Sequence, residues 1–296
     1  MIKVGILNVA GYAGAELVRI IHNHENIQLT SCTGRSSAGK KLSDIYPHLR
    51  ESDIAITTEI KKPVDFVFSA LPHAASAEML GPIIKNGIPV VDISADFRLK
   101  NLSIYEKWYK VKHPFPKLIE SAVYGLPELH RKKIKKSKLV ANPGCYPQGA
   151  ILAMAPSVQA GLIENNIISD SKSGTSGAGR SGDIEYGFSE LNNNMSAYGL
   201  SGHRHLPEIC QELNALSKIG DLNVTFVPHL APMTRGILGT HYAKLKENID
   251  QQKIDEIYRN FYKDEPFVSV VESPPATKQT WGSNNCLLYP KIFEES

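Results

Sequence analysis

The stretch KVGILNVAGYAG, residues 3–14, runs from an apolar strand pattern through small residues into a helical pattern. Gly11 and Gly14 occupy two positions of a G-x-x-G-x-x-G turn, and Asn8 stands at the first. In such a turn, small residues let a dinucleotide pyrophosphate approach the free N–H groups of a helix N-terminus. Asparagine tolerates a left-handed backbone, so we expect the turn to survive. A plain tight turn is the alternative, but the position after the first strand favours cofactor binding. The predicted cofactor residues in this turn are Gly11, Tyr12, Ala13 and Gly14.

The rest of the first half alternates β-rich and helical patterns. Strands are predicted at 3–7, 27–33, 64–71, 88–93 and 138–141, and helices at 15–24 and 75–85. This βαβ rhythm predicts an α/β fold, a Rossmann-like doubly wound parallel sheet. Ligands bind at the carboxyl ends of such strands. We therefore expect residues 1–144 to form a Rossmann-like dinucleotide-binding domain.

The pattern changes in the second half. Strands are predicted at 167–172, 223–227, 236–246 and 267–271, and helices near 148–160, 207–216 and 250–262. These lengths predict an α+β domain, one twisted sheet with helices on one face. We expect residues 145–296 to form this domain and to carry the chemistry.

The end of the second strand reads TGRSS, residues 33–37. An NAD enzyme often has an acidic residue here, which binds the ribose hydroxyls. The guanidinium of Arg35 and the hydroxyl of Ser36 suit a 2′-phosphate instead, so NADP is favoured over NAD. An exposed loop arginine without a ligand is the alternative.

The segment NPGCYP, residues 142–147, follows a predicted strand and precedes a predicted helix. A thiol at a helix N-terminus is favoured as thiolate, and the free N–H groups there can stabilise an oxyanion. Cys145 is therefore the predicted nucleophile. The other cysteines, Cys32, Cys210 and Cys286, are interpreted as ordinary buried residues.

A nucleophilic thiol needs a group that handles protons, and GHRHLPE, residues 202–208, is the best candidate. Pro207 suits a first helical turn, so both histidines lie at or before the helix start. Either His203 or His205 could be the general acid/base, with Glu208 turning back towards His205. Arg204 could hold an anion.

Two further segments are rich in donors or charges. SGTSGAGR, residues 173–180, could bind a phosphate or the nicotinamide end of a cofactor through Ser176 and Gly177, with Arg180 contacting an anion. A flexible linker without a binding role is the alternative. KKIKKSK, residues 132–138, is predicted as a solvated loop before the next strand, with an anion-binding patch as the less favoured alternative.

Composition excludes several classes of protein. With 33 basic and 30 acidic residues in 296, the charge is close to balanced, so neither nucleic acid nor a membrane is an expected partner. The four cysteines form no C-x-x-C pair, and we expect no metal site and no disulfide framework. The chain shows no charged leader and no apolar run of ~18 residues, so we expect a cytoplasmic protein with reduced thiols.

Ten ordered segments resemble the N-acetyl-gamma-glutamyl-phosphate reductase family, which belongs to the semialdehyde dehydrogenases. They are AGYAGAEL (10–17), RSSAGKKLSDIYPHL (35–49), ALPHAAS (70–76), DISADFRL (92–99), YGLPEL (124–129), NPGCYP (142–147), SGTSGAGR (173–180), HRHLPEI (203–209), VPHLAPMTRGI (227–237) and GSNNC (282–286). The resemblance runs from the first strand almost to the last residue.

This resemblance implies specific roles and a reaction of arginine biosynthesis. Cys145 would accept the acyl group, one histidine of the HRH segment would transfer the proton, and Gly11, Gly14, Arg35 and Ser36 would hold NADPH. The candidate contacts for phosphate or carboxylate are Arg98, Arg180 and Arg204. The small-molecule substrate would be N-acetylglutamyl phosphate, reduced through a thioester to the semialdehyde. We also expect a homo-oligomer, either a dimer or a tetramer.

The sequence departs from the family pattern at a few positions. Asn8 and Ala74 stand where the family usually has glycine, and Gln148 where it usually has threonine. Members usually continue for several tens of residues past GSNNC, whereas this sequence ends in LLYPKIFEES. The chain is naturally short or incomplete, and a missing tail would leave an exposed apolar patch and a looser cofactor pocket.

Three alternative functions remain open from the sequence. A reductase of carrier-protein-linked glutamyl or aminoadipyl phosphates and an aspartate-semialdehyde dehydrogenase would use the same chemistry. A degenerate NADP-binding protein without turnover would need neither Cys145 nor the histidines.

Overall fold

The computed structural model describes residues 1–180 and 183–293. The chain divides into two compact units, Met1–Pro143 and Gly144–Ser296, so the division falls one residue before the expected boundary. The last three residues of the expected second domain, and residues 181–182, lie outside the described residues. None of the described helices is both long and apolar enough to cross a membrane.

The first unit is built on a parallel sheet of seven strands in the order β3-β2-β1-β4-β5-β7-β6. Its elements are β1 (Ile2–Leu7), α1 (Tyr12–His22), β2 (Ile27–Thr33), α2 (Leu42–Ile45), β3 (Ile56–Thr57), β4 (Phe66–Ser69), α3 (Ser76–Lys85), β5 (Val90–Asp92), α4 (Leu102–Tyr109), α5 (Pro116–Ser121), β6 (Val123–Tyr124), α6 (Pro127–Ile134) and β7 (Leu139–Ala141). A 3-10 helix spans Pro47–Ser52.

Both faces of this sheet carry a hydrophobic core. Ile6 of β1 packs in one buried cluster with Val18 of α1, and Leu7 packs in a second cluster with Leu80 of α3. Successive side chains of a strand point to opposite faces, so helices on both sides are needed to bury them. The predicted doubly wound parallel fold is confirmed.

The sequence missed several elements of this unit. α5 and α6 begin with Pro116 and Pro127 in their first turns, a position that suits proline because its missing N–H has no helical partner there. The basic run 132–138 was predicted as a loop, and this is wrong for its first three residues, which end α6. Lys132 and Lys133 are exposed at the end of this short helix, and Ile134 is half-buried.

The second unit contains a four-stranded sheet in the order β11-β8-β10-β9 and a separate two-stranded sheet of β12 and β13. Its elements are α7 (Cys145–Ala160), β8 (Ile163–Ser173), α8 (Phe188–Leu191), β9 (Ser196–Ala197), α9 (Leu206–Asn214), β10 (Asn223–Leu230), β11 (Ile237–Leu245), α10 (Gln251–Tyr262), β12 (Val268–Val270) and β13 (Cys286–Leu288). Short 3-10 helices span Thr175–Ala178, Ile184–Tyr186 and Thr277–Thr280.

Two expectations for this unit are wrong. The strand predicted at 267–271 does not join the main sheet, because β12 pairs in parallel with β13, a strand the sequence did not predict. Helix α7 begins at Cys145, three residues before the expected start at 148. Pro147 is compatible with this earlier start because the first turn of a helix needs no N–H from it. Cys145 is therefore the first helical residue.

Candidate active site

The glycine turn after β1 has the predicted form. Asn8 takes a left-handed conformation with φ 61°, as its position in the turn required. Gly11 is the N-cap of α1 and has no side-chain cap. A Cβ on Gly14 would lie 2.6 Å from Cα and O of Val9, so the helix start packs directly on the turn.

Gly11 shows why a ligand fits here. A Cβ on Gly11 would approach no atom of the surrounding protein more closely than Nδ2 of Asn8, at 3.9 Å. The fold itself therefore does not require glycine at this position. Without a Cβ at Gly11, the start of α1 stays unobstructed by a side chain at its N-cap, and backbone N–H groups there suit a phosphate. These residues fit a dinucleotide.

The end of β2 lies beside this turn in the sheet. Val9 N–H donates to the carbonyl of Thr33 at 2.9 Å, which joins the glycine turn to the TGRSS segment. Arg35 and Ser36 are exposed, and Ser37 is buried. Two of the predicted cofactor residues are therefore accessible at the strand end where the ribose would lie.

The start of α3 is closed by a residue whose role the sequence analysis missed. The fully buried carboxylate of Asp96 accepts hydrogen bonds from the N–H groups of Ala74 and Ala77, at 2.8 and 2.9 Å, and from Tyr105 Oη at 3.1 Å. Ala74 is left-handed, with φ 64°. The protein's own carboxylate thus occupies the place that an anion would take at this helix start.

Arg98 is buried, with 4% exposure. Its Nε donates to the carbonyl of Asn142 and its Nη2 to that of Ile93, both at 2.7 Å. Arg98 therefore links the carboxyl ends of β5 and β7. Its contact with an anionic substrate stays a prediction.

Cys145 is exposed at the first position of α7, after the N-cap Gly144. The Gly144 N–H donates to Oε1 of Glu208 at 2.6 Å, and Glu208 is 1% exposed. Sequence reasoning expected Glu208 to turn back towards His205, and this bond to the start of α7 was not foreseen. A buried carboxylate thus holds the backbone beside the thiol.

The two histidines of the HRH segment lie side by side, with ring centroids 4.7 Å apart. The backbone N–H of His205 donates to Nδ1 of His203 at 3.1 Å. Burial, together with the charge of Arg204, lowers the pKa of His203 to about 4. His203 is therefore neutral near neutral pH and serves as a hydrogen-bond acceptor. His205 is buried at the N-cap of α9.

Two tyrosines that the sequence analysis did not single out join the cysteine to the histidines. Tyr146 follows Cys145, and its ring lies 6.0 and 5.9 Å from the rings of His203 and His205. The Tyr198 hydroxyl donates a hydrogen bond to the Tyr146 hydroxyl at 3.0 Å. The Tyr146 hydroxyl in turn donates to the carbonyl of His229 at 3.2 Å. Burial raises the pKa of both phenols, so both stay protonated. Both chain neighbours of Cys145 therefore contact α9 or the segment before it: Gly144 bonds to Glu208, and the ring of Tyr146 lies against His203 and His205.

The SGTSGAGR segment is an ordered loop. The N–H groups of Thr175 and Ser176 donate to the carbonyls of Met233 and Thr234, each at 3.0 Å. Gly177 is exposed in the same 3-10 turn, and both Arg180 and Arg204 are exposed. The contacts of these residues with cofactor or substrate stay predictions. Across the described residues, no group of three or more His, Cys, Asp or Glu side chains could hold a metal ion.

Comparisons with known proteins agree on one family. Residues 3–137 match the model described as "Semialdehyde dehydrogenase, NAD binding domain", and residues 145–295 the one described as "Semialdehyde dehydrogenase, dimerisation domain". The chain is 51% identical over 290 residues to the N-acetyl-gamma-glutamyl-phosphate reductase of Dehalococcoides mccartyi strain CBDB1, covering 98% of this chain and 85% of that protein. The chain belongs to the N-acetyl-gamma-glutamyl-phosphate reductase family.

A second reductase of this family is similarly close. The N-acetyl-gamma-glutamyl-phosphate reductase of Methanococcus maripaludis strain C6 is 47% identical over 278 residues, which cover 92% of this chain and 80% of that protein. The resemblance inferred from the ten sequence segments is therefore confirmed for the N-acetyl-gamma-glutamyl-phosphate reductases.

Solved structures of more distant semialdehyde dehydrogenases share the fold of this reductase family. Aspartate semialdehyde dehydrogenase II of Vibrio cholerae, complexed with ASA, has a TM-score of 0.71 at 13% identity, over 97% of this chain and 87% of that one. The Candida albicans enzyme with NADP has a TM-score of 0.67 at 15% identity, over 94% and 85%. At these identities the likeness shows the fold alone.

Proposed function

We propose that this chain reduces N-acetyl-L-glutamyl 5-phosphate to N-acetyl-L-glutamate 5-semialdehyde and phosphate with NADPH, a step of arginine biosynthesis. The exposed Cys145 at the start of α7, followed by Tyr146 whose ring contacts both histidines, carries this proposal. The reductases at 51% and 47% identity support the choice of substrate.

Cys145 is the nucleophile of this proposal. Its thiolate attacks the acyl carbon of the substrate, the carbon–oxygen bond to phosphate breaks, and phosphate leaves with the bonding electrons. The product is a thioester on Cys145. The free N–H groups of the first turn of α7 stabilise the oxyanion that forms during this step.

His205 is the proposed general acid/base, and His203 positions it. A group that transfers protons near neutral pH works best with a pKa close to that pH. The pKa of His203, about 4, is too low, and its Nδ1 already accepts the N–H of His205. His205 gives a proton to the oxygen of the reduced thioester and takes it back when the carbon–sulfur bond breaks. Glu208 keeps Gly144, and with it the start of α7, in place.

NADPH is the proposed cofactor, held by Gly11, Tyr12, Ala13 and Gly14 at the start of α1. When bound, it supplies the hydride that converts the thioester to a thiohemiacetal. Arg35 and Ser36 bind the 2′-phosphate by charge-assisted hydrogen bonds. Ser176 and Gly177 contact the nicotinamide end.

Exposed arginines are the proposed contacts for the anionic groups of the substrate. The guanidinium of Arg180 or Arg204 offers two parallel donors to a carboxylate or a phosphate. Arg98 belongs to the same set, but its Nε and Nη2 already hold the backbone carbonyls at the strand ends. We therefore assign the substrate contacts first to Arg180 and Arg204.

The carrier-linked alternative is not favoured. Such a substrate would require a basic groove at the site where the chemistry occurs. The basic run 132–138 precedes β7, at the amino edge of the sheet, whereas the NPGC turn follows β7 at the carboxyl edge. The identity with N-acetyl-gamma-glutamyl-phosphate reductases speaks against both the aspartyl enzyme and a protein without turnover.

We further propose an oligomeric state and a cellular location for the protein. Residues 145–295 match a model described as a dimerisation domain, which supports oligomer formation. We propose a homo-oligomer, a dimer or a tetramer, that works in the cytoplasm. Light scattering during gel filtration measures the number of subunits directly.

The reverse reaction tests the proposed function. N-acetylglutamate semialdehyde should reduce NADP in the presence of the chain, and the rate should depend on added phosphate. Aspartate semialdehyde serves as the control substrate and should give a much lower rate. No phosphate-dependent reduction of NADP with the N-acetylated aldehyde would contradict the proposal.

A further inference from the structure

Asn8 makes one contact, through its side chain, that a glycine in its place could not make. Its backbone is left-handed, with φ 61°, a conformation that glycine adopts without strain. Its side-chain Nδ2 donates to the carbonyl of Ala70 at 2.8 Å, just beyond the end of β4. Its backbone N–H donates to Oγ1 of Thr33 at 3.3 Å, at the end of β2. Asn8 thus bonds to the strands on both sides of β1.

The rest of the glycine turn is anchored in the same way. Val9 N–H donates to the carbonyl of Thr33 at 2.9 Å, and the Tyr46 hydroxyl donates to the carbonyl of Ala10 at 2.8 Å. These contacts attach the turn to β2 and to the segment after α2. On the other side, the Asn8 carboxamide attaches the turn to the carbonyl of Ala70, just after β4. The N–H of Ala70 is already bonded to the carbonyl of Leu7 at the end of β1.

The free energy of ordering a loop reduces the affinity of a ligand that needs the loop ordered. A turn that already has its bound conformation avoids this loss. The carboxamide of Asn8 lies next to the N-cap of α1, since a Cβ placed on Gly11 would be 3.9 Å from Nδ2 of Asn8. The side chain that anchors the turn therefore also lies beside the helix start at which the phosphate is proposed to bind.

We propose that Asn8 is a positioning residue for the dinucleotide: its carboxamide holds the β1–α1 turn in the binding conformation before the cofactor arrives. This inference rests on the proposed binding of NADPH at the start of α1. Asn8 takes the role of the turn glycine, and in addition it replaces the flexibility of glycine by a hydrogen bond to β4.

Ala74 offers a matched control on the neighbouring strand. It also has a left-handed backbone, with φ 64°, at a turn after β4. Its conformation is held by a hydrogen bond from its backbone N–H to Asp96, and a glycine at the same position keeps that N–H. Ala74→Gly therefore relieves backbone strain without removing an anchor, whereas Asn8→Gly removes an anchor.

The test measures NADPH affinity by calorimetry, amide hydrogen exchange of residues 9–14 without cofactor, and steady-state kinetics. We expect Asn8→Gly to weaken NADPH binding about 3- to 10-fold, as the loss of one hydrogen bond predicts. Exchange in residues 9–14 should become faster, and KM for NADPH should rise while kcat stays unchanged. Ala74→Gly should leave all of these values as they are.

A second variant keeps the proposal testable if Asn8→Gly folds poorly. Asn8→Asp has nearly the same shape, but its carboxylate cannot donate to Ala70 and repels phosphate, so NADPH should bind more weakly than to Asn8→Gly. Unchanged NADPH affinity in Asn8→Gly, with or without a lower Tm, would overturn the inference and leave the proposed function standing. An unmodified protein that binds no NADPH would overturn both.

Discussion

The starts of α1 and α7 are built in the same way but offer different chemistry. Each helix follows a strand of the parallel sheet within a few residues, and each has a glycine N-cap with an extended backbone and no side-chain cap. Gly11 has φ −81° and ψ 165°, and Gly144 has φ −67° and ψ 153°. Both starts therefore present backbone N–H groups that no capping side chain satisfies.

The side chains around the two helix starts differ. At α1 the turn presents mainly backbone, and Gly14 packs so closely on Val9 that no Cβ fits. At α7 the first residue is Cys145, the backbone beside it is held by Glu208, and two histidines lie against the ring of Tyr146. In the proposed function, the same backbone arrangement binds a phosphate in one unit and activates a nucleophile in the other.

Removing the thiol should change only the second of these helix starts. We expect Cys145→Ser to fold, to bind NADPH as before, and to lose ~10³-fold or more in turnover, because a serine hydroxyl without a strong base is a much poorer nucleophile. Turnover by the reverse assay and NADPH affinity by calorimetry are the two measurements. Full activity of the serine variant would exclude a thioester mechanism.

The histidine pair sharpens the comparison, because only α7 needs a proton-transfer group. His205→Asn should lower turnover by roughly 10²- to 10⁴-fold. His203→Asn should have a smaller effect, since His203 is neutral and acts by accepting the N–H of His205. Parallel kinetics of the two variants measure this difference. If only His203→Asn loses most of its turnover, His203 is the general acid/base and His205 the positioning residue.

The preference for NADPH over NADH should depend on Arg35, in the unit that contains α1, and not on Cys145 or the histidine pair. Arg35→Asp removes a charge-assisted contact to the 2′-phosphate and adds a repelling carboxylate, at a cost of about 1.5–3 kcal/mol or more. The preference for NADPH over NADH should then disappear or reverse, as measured by kcat/KM with each cofactor. If the unmodified protein uses both cofactors equally, Arg35 and Ser36 do not bind a 2′-phosphate.

Two glycine-to-alanine substitutions, one in each helix, compare how tightly α1 and α7 are packed around a glycine. Gly14→Ala in α1 places a Cβ against the backbone of Val9 and should destabilise the fold by about 1–3 kcal/mol, together with a loss of NADPH binding. Gly149→Ala in α7 meets no atom within 4 Å and should stabilise the protein by up to ~1 kcal/mol. Urea unfolding measures both changes. Equal changes in the free energy of unfolding would show that the close approach of Val9 to Gly14 does not contribute to stability.

Local patterns in the sequence predicted much of this structure. The strand–turn–helix at 3–14, the strand at Ile27–Thr33 and the left-handed Asn8 are features of neighbouring residues, and the structure confirms them. The pairing of β12 with β13 and the bond from Gly144 to Glu208 join residues far apart in the chain. Periodicity and turn signals do not identify such partners.

The same limit applies to the residues of the site. Cys145 and the HRH segment stand out because nucleophile and base chemistry restrict the choice of residue. Tyr198 and Asp96 do not stand out, because their roles come from the distant groups to which they bond. The depressed pKa of His203, which divides the roles of the two histidines, arises from burial that a sequence does not display.

The acyl-enzyme on Cys145 is the most direct test of the central claim that the start of α7 carries the chemistry. The purified protein is mixed with N-acetylglutamyl phosphate without NADPH, quenched in acid, digested and analysed by mass spectrometry. We predict close to one equivalent of phosphate released per active site and an N-acetylglutamyl group on the peptide that contains Cys145, with neither in Cys145→Ser. An acyl group on another residue, or NADPH-dependent turnover without any acylated Cys145, would contradict the account.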